Sequence, residues 1–238
     1  GRMGQLPSHP ELLDWLAVEF RDGGQSLKNL HRLIVTSSVY RQASTYDGTN
    51  SQIDSGNAYL WRMNRRRLTA EEVRDSVLFV SGKLDGKMYG PGFRLFVLEH
   101  PQHSPHYEYH KHDPDDPASH RRSVYRFIGR SQPDPFMMTL DCADSSQSVP
   151  RRDETVTALQ ALSLLNNKFM LRMAEHFSDR LHVESNTSTE HIRRAFQLAT
   201  GRDPTVEQTV ALKEYASEFG TANLCRLIFN LNEFVFVD

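Results

Sequence analysis

The chain has only two cysteines, Cys142 and Cys225, and neither lies in a CxxC or CxxCH string. That scarcity excludes a four-cysteine zinc site and covalent haem attachment within this chain. It leaves either one disulfide between the two or a pair of buried thiols. No apolar run approaches the roughly 20 residues needed to cross a bilayer. Residues 1–10 (GRMGQLPSHP) lack the apolar stretch of a secretory signal, so localisation cannot be read from this end. Charge of one sign is missing as well. Lys and Arg number 28 against 30 Asp and Glu, and the formal net charge of −2 exerts no global pull toward nucleic acid or anionic membrane. There is no HExxH, no GxSxG elbow for Ser37 or Ser38, no internal repeat and no low-complexity tract.

What remains is an ordinary globular composition, 38% hydrophobic and 24% charged over 238 residues, which is enough chain to bury a core. Helix signals dominate. Ser8 before Pro10 and Glu11 marks an N-terminus, with Leu12, Leu16 and Phe20 recurring behind it and Gly23–Gly24 stopping the helix. Ser26 caps a second helix striped by Leu27, Leu30 and Ile34, making an αα-hairpin, and Thr45 to Asn57 reads as loop. Thr69-Ala70-Glu71-Glu72 is a capping box ahead of Val73, Val77 and Val80. Phe93–Glu99 and Ser123–Ile128 have the aromatic and β-branched bias of strands. Asp153 is placed to cap a helix with Leu159 and Leu162 on one face. Stripes at Phe169/Met173/Phe177/Leu181 and Ile192/Phe196/Ala199 follow, the second stopped by Gly201. Thr205–Gln208 is another capping box, and Thr221 opens a last helix. The fold class predicted is mainly α, multi-helical, with a small antiparallel β element near residues 93–128. A single domain over 1–238 is expected, with a helical part at 1–85, a β/loop part at 86–150 and a helical part at 151–238.

Three constellations can carry chemistry. His103, His106, His110 and His112 lie in a stretch rich in Asp, and imidazole with carboxylate is what a divalent metal takes, although no established ligand spacing is present. Asp141, Asp144, Arg151 and Arg152 stand just before an apolar helix. Two carboxylates can work as acid and base, and two arginines at a helix entrance suit an anion. Internal ion pairing would equally account for them. Arg62, Arg65, Arg66 and Arg67 beside Trp61 can grip phosphates, but Glu71, Glu72 and Asp75 can neutralise them within a helical turn.

Taken together, SLKNLHRLIVTSSVYRQAS, LWRMNRRRLTAEEVRDSVL, RRSVYRFIGRSQPDPFMMTLDCADSSQSVPRR and TALQALSLLNNKF resemble the planctomycete-type C-terminal domain of unknown function (DUF1553, PSD-type), from the opening GRMGQLPSHPELLDWLAVEF to the closing residues. The resemblance implies an extracytoplasmic domain of a longer chain, cut short at its N-terminus, with other domains of that chain as partners, a c-type cytochrome domain among them. It supplies no catalytic residues, and the haem of that partner does not transfer to this chain. The function expected is a non-catalytic interaction or scaffold module. The alternatives are a hydrolase or metal-assisted enzyme on anionic polysaccharide using Asp141, Asp144, Arg151 and Arg152, with the histidines as its metal-binding version, and, more remotely, nucleic-acid binding through Arg62–Arg67.

Overall fold

The computed structural model describes residues 6–100, 104–148 and 152–237, and the chain divides into two compact units at Arg66/Arg67. Among the described residues the fold is mainly α, with eleven helices and two two-stranded sheets.

The first unit opens with a helical hairpin. α1 (Pro10–Asp22) starts at Pro10 with His9, not Ser8, as its N-cap, because the Ser8 hydroxyl is engaged with His9 Nδ1 at 2.9 Å. Gly23 closes it, and α2 (Leu27–Thr36) starts on Ser26, whose side chain accepts from the Asn29 amide. The expected loop at 45–57 contains a short helix, α3 (Gly48–Ile53), because Asp47 accepts from the Asn50 amide and caps it. A tight turn follows. Buried Asn57, at φ +54°, donates to the Arg62 carbonyl at 2.8 Å, and Trp61 Nε1 donates to the Asp54 carbonyl at 2.9 Å. Neither α1 nor α2 buries a residue.

The second unit holds the core. α4 (Ala70–Val80) begins with the predicted capping box of Thr69 and Glu72, which satisfies two orphan donors of its first turn. Its buried stripe of Ala70, Val73, Val77 and Leu78 meets α7 (Lys168–Glu184) and α8 (Ser188–Thr200), and α10 (Thr221–Ile228) joins the same core by packing on α7 and α8. Met173, Phe177 and Leu181 of α7, Ile192 and Phe196 of α8, and Leu224 and Ile228 of α10 are all buried there, as the 3.6-residue spacing requires. Phe177 and Phe229 stack with centroids 5.7 Å apart. Each of these side chains contributes about 1.5–3 kcal/mol of burial. α9 (Val206–Phe219) starts at the predicted box of Thr205 and Gln208, and Gly201 ends α8 at φ +76°, where a Cβ would be strained.

Two expectations are corrected in this unit. α6 (Ala158–Asn166) is capped by Thr157 with Gln160, not by Asp153, and buries Gln160 and Leu164 while Leu159 and Leu162 face solvent. The cause is a further capping box, which outcompetes a lone Asp upstream. In the β element, Val97–Glu99 pairs antiparallel with His106–Glu108, Val97 opposite Glu108 and Glu99 opposite His106. Ser123–Tyr125 is instead a 3-10 turn, and among the described residues a single bridge, Phe93 with Arg126, joins that stretch to the predicted first strand. Phe96 anchors the hairpin, stacked on Tyr107 at 4.3 Å and edge-on to Phe127 at 5.8 Å. Cys142 and Cys225 are both buried and free, which decides between the two cysteine readings.

Candidate functional site

The polar residues of the second unit are organised around a buried cation. Arg74 sits on the apolar face of α4, 2% exposed, with its guanidinium 5.0 Å from the Phe93 ring centroid and 5.5 Å from that of Phe169. It donates to the Arg121 carbonyl at 3.0 Å, to Ser123 Oγ at 3.3 Å and to the Ser119 carbonyl. Asp75 lies 3.7 Å away and accepts from the Ser123 amide at 2.7 Å. Burial pulls the Arg74 pKa down to about 10, against the pull of Asp75, so it remains charged at neutral pH. The loop 119–123 is thereby wound onto α4.

Two further arginines in that stretch are buried. Arg121 lies over the Tyr125 ring at 4.1 Å and donates to the Tyr89 carbonyl at 2.5 Å. Arg126 donates to Cys142 Sγ at 3.2 Å. Burial pushes the Cys142 thiol up, with Arg126 opposing. Asp134 caps α5 (Pro135–Thr139), its Oδ1 accepting from the Phe136 amide at 2.9 Å. Burial raises its pKa, with Arg126 the first group to oppose.

Asp141 is the hub of a second network. Its Oδ2 accepts from Arg67 at 2.8 Å, from the Thr155 amide at 2.7 Å, and from Gln160 Nε2 at 3.1 Å. Arg67 also donates to the Leu140 carbonyl at 3.1 Å, to Gln160 Oε1 at 2.6 Å and to the Thr155 carbonyl at 2.5 Å. Burial works to raise the Asp141 pKa, yet the Thr155 and Arg67 hydrogen bonds outweigh it and hold the carboxyl below its usual range. Asp141 takes φ +58°, a left-handed conformation that Asp tolerates better than most side chains. Asp144 is turned away from this network, accepting from the Ser146 amide at 2.8 Å and from Gln147 at 3.2 Å. Arg152 pairs with Glu71 of α4, at 2.9 and 3.4 Å. Arg151 lies outside the described residues. Asp141 and Arg152 therefore do not converge: one holds the entrance of α6 and the other reaches back to α4.

The histidines separate too. His106 is in the β-hairpin opposite Glu99, exposed His110 lies 3.3 Å from Glu108, and His103 is outside the described residues. Among the described residues no three of His, Cys, Asp and Glu form a group that could hold a metal ion. His112 differs from the others. It is half-buried, burial lowers its pKa, and its Nε2 is buried with no hydrogen-bond partner among the described residues. It borders a cavity of about 310 Å3 shared with Arg74, Tyr109, Asp134, Lys168 and Phe169. Arg74 is the residue that sequence reading misses. A signal for it exists, since it is the one charge in the stripe Ala70, Val73, Arg74, Val77, Leu78.

A helical core bound to an irregular polar layer by buried arginines defines the class as a mainly α domain. More particularly, the chain belongs to the family described as PSD1, protein of unknown function (DUF1553), whose model matches residues 1–216. No curated protein and no solved structure matches it. None of the helices in the described residues is long and apolar enough to cross a membrane.

Proposed function

We propose that this domain is a non-catalytic interaction or scaffold module of an extracytoplasmic multidomain protein of planctomycete type, and that it docks other domains of the same longer chain, a c-type cytochrome domain among them. The observation that carries the reading is the engagement of the polar signature: Asp141 is held by Arg67, Thr155 and Gln160, and Arg152 by Glu71. Groups committed to ion pairs at a helix entrance hold a loop in place; they are not poised to move a proton or grip a substrate. The hairpin of the first unit supports the docking half, because Leu12, Leu13, Trp15 and Leu27 of α1 and α2 are exposed, the kind of apolar surface a partner covers. The reading requires no metal or cofactor.

The test is sedimentation of this chain with the separately prepared cytochrome domain, followed at the haem absorbance. Co-sedimentation that is lost in a Trp15→Ser, Leu12→Ser variant is the expected result. Absence of any association, or a turnover abolished by Asp141→Asn in a chain of unchanged stability, would overturn it.

A further inference from the structure

The cavity beside His112 lies outside the Asp141 network. Its walls include the turn after the β-hairpin (Tyr109, His112), α4 (Arg74), the start of α5 (Asp134, Phe136) and the start of α7 (Lys168, Phe169). About 310 Å3 is at the small end of small-molecule sites, which run from roughly 300 to 1,000 Å3.

The polar atoms around it are few and unequally occupied. His112 Nε2 is buried without a partner among the described residues, which costs free energy unless a ligand or water completes it. Asp134 is 7% exposed, both amides it caps go to Oδ1, and no donor among the described residues is bonded to Oδ2. The Tyr109 hydroxyl donates to the Gln132 carbonyl at 2.7 Å, which leaves its oxygen able to accept. The Lys168 ammonium is tethered to the His112 carbonyl at 3.1 Å. Between these groups the walls are rings, with Phe136 and Phe169 tilted together at 6.1 Å.

Charge constrains the ligand. Arg74 is paired with Asp75, and Lys168 is offset by the Asp134 carboxylate, so these groups carry no net charge and a neutral molecule is favoured. It must present a donor to Asp134 Oδ2, complete His112 Nε2, and lay an apolar face on aromatic walls. We propose that this cavity binds a neutral, hydroxylated ring, the size and chemistry of one hexose unit, with His112 and Asp134 as its hydrogen-bonding residues. The ring C–H face packs on Phe136 and Phe169, while hydroxyls meet the carboxylate and imidazole. The site is one of binding, and it stands whether or not the chain docks a cytochrome domain.

The test is calorimetric titration of the whole chain with D-glucose, D-galactose and N-acetylglucosamine, alongside a tetrasaccharide of each sugar and, as the charged counterpart, glucuronate. Saturable binding of a neutral sugar, weakened about tenfold in His112→Ala by loss of one buried hydrogen bond, is the expected result. Binding of the tetrasaccharide alone supports the proposal with a chain end as the source, and equal binding of the monosaccharide supports it with the free sugar. Folding of His112→Ala is checked by its amide NMR spectrum. Lys168→Ala is the second variant, and its amide shifts on titration must fall on residues 109–112 and 134–136. No saturable binding by any neutral sugar, stronger binding of glucuronate, or binding that His112→Ala leaves unchanged would each overturn the assignment.

Discussion

Replacing Asp141 with asparagine separates a structural hub from a reserved functional group. Asparagine keeps the side-chain shape and tolerates φ +58°, so the backbone is spared and the charge alone is removed. The Arg67 guanidinium, 9% exposed, then loses its carboxylate partner, while the 14%-exposed Asp141 position loses part of its acceptor capacity toward Thr155 and Gln160. Removing one partner of a buried pair costs about 3–5 kcal/mol. Because Thr155 is exposed and asparagine can still accept one hydrogen bond, the expected loss is about 2–3 kcal/mol. In a domain of this size that lowers Tm by about 5–10 °C, read by differential scanning calorimetry at neutral pH. The cycle with Arg67→Met completes the test, since the double variant should be less destabilised than the sum of the singles by about 1–2 kcal/mol. An additive cycle, or a variant with unchanged Tm, refutes the hub. A raised Tm would do so more sharply, since it would mark a residue kept under strain for another purpose.

Other perturbations bear on the same framework. Arg74→Lys cannot reach the Arg121 carbonyl, Ser123 Oγ and the Ser119 carbonyl with one ammonium, and a loss of about 2–4 kcal/mol is expected in urea unfolding. Gly129→Ala places a Cβ 2.7 Å from the Tyr107 ring and 3.0 Å from the Gln132 carbonyl oxygen, so destabilisation of about 1–3 kcal/mol should appear with loss of the near-ultraviolet signal of the Phe96–Tyr107 stack. Asp141, depressed in the fold, contributes stability that is present above its ordinary pKa of about 3.9 and lost as pH falls through its folded value. Acid unfolding of Asp141→Asn should therefore show a shallower slope below about pH 4 than the parent, and an identical slope would count against the assignment.

The helical half of the fold is legible in the sequence because its causes are local. Thr69/Glu72 and Thr205/Gln208 carry their capping boxes within four residues, and Met173, Phe177 and Leu181 recur at one helical period along a single segment. The middle of the chain is not, because its structure is set by contacts remote in sequence. Ser123–Tyr125 has the aromatic and β-branched character of a strand, yet the amide and hydroxyl of Ser123 are claimed by Asp75 and Arg74 on α4, and the backbone takes a 3-10 turn instead. The hairpin partner of Val97–Glu99 is the histidine-bearing segment His106–Glu108, whose polar composition conceals a strand. Among the site residues, Asp141 stands out in the sequence as a polar residue of consequence. Its partner Arg67 reads there as part of a basic run that Glu71, Glu72 and Asp75 can neutralise, because nothing local links positions as far apart as 67 and 141.

The first two turns of α4 resolve why so dense a polar segment need not be an active site. Between Thr69 and Asp75 the charged side chains hold irregular chain or cap their own helix. Glu71 takes Arg152, Glu72 closes the capping box, Arg74 gathers 119–123 from inside, and Asp75 takes the Ser123 amide. Ordering a residue of loop costs about 1–2 kcal/mol of backbone entropy, and the stretch from Asp141 to Thr157 has few apolar side chains with which to offset it. Hydrogen-bonded ion pairs to a rigid helix are the remaining means, so charge accumulates where the chain is least helical. Arg121 Nε and Arg126 Nε are left without a partner among the described residues inside this layer. Beside a cavity the pattern is broken by His112 Nε2, buried and likewise without a partner there, and by Asp134 Oδ2, to which none of the capped amides is bonded. Ligand chemistry is therefore to be sought there, in the cavity that Arg74 borders and not in the ion-paired loop.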